Sequence, residues 1–331
     1  MKKKINNKYY FQVPLSIILL LLGLIGPGFW QIKSPTFNVN KNFLDTRSSI
    51  DFNDLNIEEI ELDKKFLNSK VSTRDLFNKE IAIAWSSHIY DNARKQIDIP
   101  KMFFSQLPSD LKSYETKKRK KLFISIMLPL LIRGNDIVIY ERKKLKTIFK
   151  NSNFKILKRF CVKYKVLIEK CLIKNTYNEK NIDELKDELF TKINTLPLSM
   201  MLAQAAIESG WGLSRFAQRG NALFGQWTWN EKEGIKPKNN ISAKFAVRSF
   251  ENLQESVNSY ILNLNTHRAY KKMRKYRKLM MMKNKLFEGK KFAKYLDRYA
   301  EIGYDYVLKV IKMIESNKFE DFDNLKLKMK S

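Results

Sequence analysis

Apolar residues recur at helical spacing through most of the chain beyond residue 80. Ile81 to Arg94 and Lys118 to Lys150 carry such patterns, the second with Leu122, Ile126, Leu130, Ile137 and Leu145 set among basic residues. Recurrence every three or four positions predicts helices with one buried face. Between the two, Ile97-Asp98-Ile99-Pro100 reads as extended and Leu107-Pro108 as a turn. Pro197 followed by Leu198, Met201, Leu202, Ala205 and Ala206 predicts a short helix, almost free of charge, that Gly210 and Gly212 stop. The period then changes. Trp227 and Trp229 alternate with Thr228 and Asn230, and Phe245, Val247 and Ser249 alternate with Lys244, Ala246 and Arg248, which predicts the two arms of an antiparallel hairpin. Helical spacing resumes with a capping-box pair, Asn252 and Glu255, before an inner face of Leu253, Val257, Tyr260, Ile261 and Leu264. Phe292, Tyr295, Leu296 and Tyr299 mark another helical face, and Val307, Leu308, Ile311 and Ile314 a last one. The expected fold is mainly α, an α+β arrangement with one small antiparallel β-hairpin.

The amino terminus follows a different rule. Lys2, Lys3, Lys4 and Lys8 precede an uncharged run from Tyr9 to Ile32 with an apolar centre from Leu15 to Ile25. As a helix that run is about 36 Å long, enough to cross a bilayer. The basic flank predicts a cytoplasmic amino terminus with the remainder of the chain outside. Gly26-Pro-Gly-Phe-Trp-Gln31 gives no small-x-small cleavage site, which favours an uncleaved inner-membrane anchor over a cleaved leader that would release the protein to the periplasm. Residues 33–75, rich in Asn, Ser, Asp and Glu without sustained periodicity, read as an extracytoplasmic linker.

Charge and sulfur narrow the chemistry. The net charge is +29, and eleven Lys or Arg stand between Lys271 and Lys294 against the single acid Glu288, which predicts a basic surface. No zinc-finger spacing, RNA-binding strand motif or phosphate loop accompanies it, and a domain outside the membrane does not meet DNA, so nucleic acid is excluded as a partner. Anionic headgroups and the carboxylates of peptide stems fit such a surface. Cys161 and Cys171 would lie about 15 Å apart on one unbroken helix, too far for a disulfide, whereas a break near Val166 would bring them together. His88 and His267 have no ligand partner at useful spacing, so neither metal nor other cofactor is expected.

One segment concentrates the remaining unusual residues. Three of the five tryptophans and five of the eleven glycines fall between Gly210 and Gly234, directly after Ala203-Gln-Ala-Ala-Ile-Glu208-Ser-Gly-Trp-Gly212 and through Asn221-Ala-Leu-Phe-Gly225. Glu208 falls in the last turn of its helix, where unpaired carbonyls and an apolar setting beside Trp211 both disfavour a carboxylate and raise its pKa. A carboxyl group that keeps its proton near neutrality can protonate a leaving oxygen, the task of a glycosidase's general acid. From spacing alone, a solvated helix-end residue is the competing reading. The alternating aromatic positions around Trp227 suit either sugar stacking or ordinary packing.

The wording Ala-Gln-Ala-Ala-x-Glu-Ser-Gly-Trp-Gly with Asn-x-Leu-Phe-Gly resembles the glucosaminidase domain of glycoside hydrolase family 73, shared by flagellar muramidases and bacterial autolysins. Within that group the chain is most similar to the proteobacterial Bax family. Ile99-Pro-Lys-Met-Phe-Phe-Ser-Gln-Leu-Pro108, Lys120-Lys-Leu-Phe-Ile-Ser-Ile-Met-Leu-Pro129, Leu262-Asn-Leu-Asn-Thr-His267-Arg-Ala-Tyr270 and Arg298-Tyr-Ala-Glu-Ile-Gly-Tyr304 carry that similarity over roughly residues 97–316. The resemblance implies a lysozyme-like fold and an endo-β-N-acetylglucosaminidase that cuts peptidoglycan glycan strands. It makes Glu208 the proton donor and puts Asn221, Phe224 and Gly225 in the cleft lining. Tyr299 stands where the family keeps a tyrosine close to the glutamate, and His267 shapes the cleft wall. Trp211, Trp227, Tyr260 and Tyr304 complete the expected substrate-binding set.

A departure from the family accompanies these matches. Better-studied members carry a second carboxylate on the hairpin after the Asn-x-Leu-Phe-Gly motif, yet the returning strand Ile241 to Phe250 contains no acid. Glu231 and Glu233 remain, with Glu233 the candidate second catalytic group if the turn folds over the cleft. Otherwise the substrate's N-acetyl group or a tyrosine such as Tyr299 serves. Three readings therefore stand: hydrolysis of the N-acetylglucosaminyl-β-1,4-N-acetylmuramic acid bond, lytic transglycosylation of the same glycan, and a non-catalytic peptidoglycan-binding scaffold. The expected layout is an anchor at 1–32, a linker at 33–75, a helical accessory subdomain at 76–180, a catalytic domain at 181–316 and a charged tail at 317–331.

Overall fold

In a computed structural model of the chain, the structure describes residues 70–71, 79–101, 103–151, 154–166, 179–237 and 244–328. The expected anchor and nearly all of the linker lie outside the described residues. At the centre is α2, Thr116–Lys150, with α1, Lys79–Arg94, packed along it. The run Leu122 to Gly134 is buried on every side, as expected for a helix whose apolar residues are not confined to one stripe. By length and composition α2 is apolar enough to cross a membrane, but 78% of its most apolar window is buried within the protein, which makes it a core helix. Ser125 Oγ, fully buried, donates to Ser86 O at 2.9 Å and joins the two helices.

The chain continues through α3, Phe154–Lys163, and α4, Glu179–Lys192, to α5, Leu198–Ser209, and the short α6, Arg215–Gly220. Cys161 on α3 is fully buried and disulfide-bonded, and the chain's other cysteine, Cys171, lies outside the described residues. After the sheet come α7, Leu253–Thr266, α8, Lys271–Met282, α9, Gly289–Ala293, and α10, Tyr304–Ser316. The predicted cap forms, with Asn252 Oδ1 accepting from Glu255 N at 3.0 Å, but the return bond differs from a capping box: Glu255 Oε2 accepts from Glu251 N, one residue before the cap, at 3.2 Å. The inner face of α10 is Tyr306, Val307, Val310 and Ile314, while Leu308 is 49% exposed. That face is rotated from the one predicted, because Tyr306 packs inward with its hydroxyl bonded.

Two strands, β1 at Lys70–Val71 and β2 at Phe103–Phe104, pair in parallel. The other sheet has three strands, β3 at Trp227–Thr228, β4 at Gly234–Ile235 and β5 at Ala246–Arg248, in antiparallel order β3-β5-β4. The predicted arms are β3 and β5, paired Trp227 to Val247, and β4 is an additional edge. The architecture is mainly α with a small antiparallel sheet, consistent with a lysozyme-like α+β fold.

One hydrophobic core runs from Ile89 to Leu327, so the segments expected as accessory and catalytic share it. The stretch expected as a charged tail enters it: Phe319 and Phe322 are fully buried, and Ile99 bridges Leu327. Arg94 anchors this stretch to α1, donating to Asp321 Oδ2 at 2.8 Å and to the carbonyls of Asn317 and Lys318 while its guanidinium lies 4.4 Å over the Phe322 ring. Asp323 then reaches α5. Pro197 at the start of α5 offers no side-chain cap, and Asp323 accepts from Ser199 N and Ser199 Oγ, both at 2.8 Å. A carboxylate suits the positive end of a helix.

The basic run of 271–294 is divided in the structure. Arg274 and Arg277 of α8 are 5% and 0% exposed. Arg274 donates to the carbonyls of Leu264 and His267 at the end of α7. Arg277 donates to the carbonyls of Thr191, Lys192, Asn194 and Thr195 and to Asn265 Oδ1, closing the end of α4. Burial, with Arg274 and Arg142 nearby, brings Arg277 down to about 9, so it stays charged at neutral pH. These two arginines are internal clamps, which the count of basic residues along the sequence does not reveal.

Candidate active site

Every residue of α5 from Leu198 to Ala206 is buried, and the helix presents Glu208 in its last turn. Gly210, Trp211 and Gly212 then all adopt left-handed backbone, with φ of 58°, 58° and 80°, and turn the chain away. Ser209 Oγ, which donates to Ala205 O at 2.6 Å and accepts from Gly212 N at 2.9 Å, fixes the turn. Gly212 is required twice over, by its positive φ and because a Cβ there would sit 2.8 Å from Leu111 Cδ2. Ser214 caps α6 by accepting from Ala217 N at 3.1 Å.

Asn221 ends α6 in left-handed conformation and donates through Nδ2 to Phe250 O and Glu251 O, tying the loop to the entry of α7. Leu223 N donates to Ser256 Oγ at 3.1 Å, and the Phe224 ring stacks on Tyr260 at 3.9 Å. These contacts deliver Gly225, with φ of 60°, opposite the acid. A Cβ on Gly225 would lie 3.5 Å from Glu208 Oε2, so the glycine faces that oxygen directly.

The other oxygen is occupied. Tyr306 Oη donates to Glu208 Oε1 at 2.6 Å. Burial pushes the half-buried Glu208 up to about 7, against the opposing effects of the Tyr306 hydrogen bond and the Lys309 charge. Tyr260, Tyr270, Tyr299 and Tyr306 surround the acid, each hydroxyl pushed up first by burial and further by the Glu208 charge, so all four stay neutral. Tyr299 donates to Phe224 O at 3.0 Å and stacks on Tyr306 at 5.2 Å. Tyr299 thus holds the Gly225 loop, and the hydroxyl on the acid belongs to Tyr306. Tyr306 is absent from the sequence-derived set. The available signal was a helical face that includes residue 306, since an inward tyrosine one helix away from an acid is a natural donor.

Of the expected residues, Glu208, Phe224, Gly225, Tyr260 and Tyr299 come together. Trp211 packs edge-on against Phe123 and Phe319 with Lys120 Nζ 4.7 Å over its ring. Trp227 stacks on Phe245 at 4.2 Å in the sheet. His267 lies against Tyr270 at 5.8 Å and accepts from Ala269 N, and Tyr304 is 61% exposed at the start of α10. Glu233 is exposed in a 3₁₀ turn and accepts from Asn230 Nδ2 at 2.8 Å, and the neighbouring Glu231 pairs with Lys236 at 2.8 Å. Among the described residues no three His, Cys, Asp or Glu side chains gather to hold a metal ion. A cavity of about 300 Å³ lined by Arg142, Phe190, Asn194 and Met281 includes none of the groups around Glu208.

The raised value has a consequence for stability. A group held above its ordinary value of 4.5 binds its proton more tightly in the folded than in the unfolded chain. Its contribution is complete below the unfolded value and is lost as pH rises through about 7, by up to about 3 kcal/mol. Gln at 208 accepts from Tyr306 and cannot ionise. Glu208→Gln should therefore melt like the wild type near pH ~4.5 and at higher temperature near pH ~8.5. An equal difference at both pH values would show that the carboxylate is not desolvated.

The site thus consists of a half-buried acid on a helix end, a donor tyrosine on one of its oxygens and a glycine loop facing the other. Residues 185–319 match the model of the glucosaminidase family, described as mannosyl-glycoprotein endo-beta-N-acetylglucosaminidase. Over 214 residues the chain is 28% identical to Protein bax of Escherichia coli (strain K12), a stretch covering 64% of this chain and 75% of that protein. Together these matches support a glucosaminidase domain similar to that of Protein bax and suggest a role related to hydrolysis of peptidoglycan or a similar glycan. No solved structure matches the chain.

Proposed function

We propose that the protein hydrolyses the N-acetylglucosaminyl-β-1,4-N-acetylmuramic acid bond of peptidoglycan, with Glu208 as general acid. The observation that carries this reading is a carboxyl group raised to about 7 with one oxygen held by Tyr306 and the other facing Gly225. At neutral pH a substantial fraction is protonated, and the proton passes to the bridging oxygen as the glycosidic bond breaks. Positive charge then develops at the sugar, and the resulting carboxylate is stabilised by the Tyr306 hydrogen bond. Wild-type protein incubated with purified sacculi should release fragments with reducing N-acetylglucosamine ends.

A lytic transglycosylase is the second reading. It is favoured by the position of the two candidate second acids, because Glu231 and Glu233 are both exposed and engaged with Lys236 and Asn230. Transglycosylation needs one acid-base group and leaves anhydro-muramic ends, so mass spectrometry of the same digest separates the two. A digest that releases nothing while the protein still sediments with sacculi leaves the scaffold reading. We place the catalytic body outside the inner membrane, tethered by the segment before residue 33. A reporter active only outside the cytoplasm, fused after Ser331, should be active.

A further inference from the structure

Gln204 lies one turn before Glu208 on α5 and is fully buried. Its Oε1 accepts from Tyr260 Oη at 2.6 Å, and its Nε2 donates to Tyr306 Oη at 3.1 Å. The two lengths fix the amide: the shorter suits O–H···O and the longer suits N–H···O. A flipped amide would force an N–H···O contact to 2.6 Å and make Tyr306 give its proton to Gln204. A phenol has one proton. With the Gln204 N–H arriving at the Tyr306 oxygen, that proton is directed to Glu208 Oε1.

We infer that Gln204 is a positioning residue that makes Tyr306 a permanent donor to Glu208, and thereby confines the acidic proton to the carboxyl oxygen facing Gly225. This deepens, and rests on, the reading of Glu208 as general acid. The relay runs one way, from Tyr260 to Gln204 to Tyr306 to Glu208. Because Oε1 is always an acceptor, the protonated acid carries its hydrogen on Oε2, the oxygen beside the position Gly225 leaves empty. An amide is the side chain this place demands. A Glu would accept from both tyrosines and withdraw the Tyr306 proton from the acid, whereas an apolar residue would accept from neither and donate to neither.

The test uses the full chain labelled with carbon-13 at the glutamate carboxyls, with the Glu208 resonance identified by its loss in Glu208→Gln. Gln204→Glu should raise the Glu208 titration midpoint by about one unit or more, since the ionised acid loses its donor and gains a negative neighbour. Gln204→Met should move it the same way by less, and Tyr260→Phe, which frees the amide to flip, by less again. Midpoints unchanged in both Gln204 variants, with Tyr306→Phe shifted, would overturn the relay and leave Gln204 a packing residue. If neither Gln204 variant folds, Tyr260→Phe decides alone, and an unchanged midpoint overturns the proposal. The readout needs no turnover. A midpoint that moves in a protein that cuts no glycan keeps the relay and sinks the general-acid reading; where glycan is cut, the basic limb of the rate profile should move with the midpoint.

Discussion

Glu208→Gln should release muropeptides from sacculi about 10³-fold more slowly than the wild type, within the usual contribution of a positioned general acid. The variant keeps the geometry, since an amide oxygen still accepts from Tyr306 and the volume is unchanged. What it removes is the transferable proton on the side facing Gly225. The comparison is clean because the same change should not weaken the fold. Loss of activity with equal or higher melting temperature and retained sedimentation with sacculi would assign the defect to chemistry. Unchanged release would remove Glu208 from the mechanism and assign the cleavage to another group.

The largest effect on stability is expected at Arg277. Arg277→Met should cost about 3–5 kcal/mol, read as a lower urea midpoint with unchanged slope. The guanidinium is fully buried and spans four backbone carbonyls from Thr191 to Thr195 together with Asn265. Methionine fills much of the volume and takes the guanidinium's donors from the Thr191, Lys192 and Thr195 carbonyls, while Asn194 O keeps only Asn265 Nδ2 at 3.0 Å. Arg277→Lys should recover little, because one ammonium cannot span the arc that the planar fork covers. A loss below about 1 kcal/mol for the methionine variant would mean that water or a rearranged Arg142 takes over the carbonyls.

Much of this was legible in the sequence wherever a local rule decides the outcome. The buried α5, its stop at Gly210 and Gly212, and the Asn252 cap on Glu255 N each follow from residues within a turn of one another. The acid at the end of α5 was legible for the same reason. The tyrosine on that acid was not, because the assignment depends on the rotation of a helix 98 residues away. Choosing Leu308 and Ile311 for the inner face turned Tyr306 outward, and only packing against Tyr299 and Gln204 corrects it. Arg274 and Arg277 were illegible for a related reason: a basic residue in a basic run looks solvated unless the carbonyls it closes, at the ends of α7 and α4, are known. The aromatic concentration around Trp211 and Trp227 was real, but the structure uses both rings in packing.

The Asp323 cap on Ser199 has a kinetic meaning. Its two partners are separated by 124 positions, so the hydrogen bonds that complete the first turn of α5 close a long loop and cannot form until residue 323 has been synthesised. A chain emerging from its amino end presents the acid-bearing helix well before its cap, and the family match ends at residue 319, before the cap is reached. The part of the protein that looks complete by similarity is therefore unfinished until its last few residues arrive.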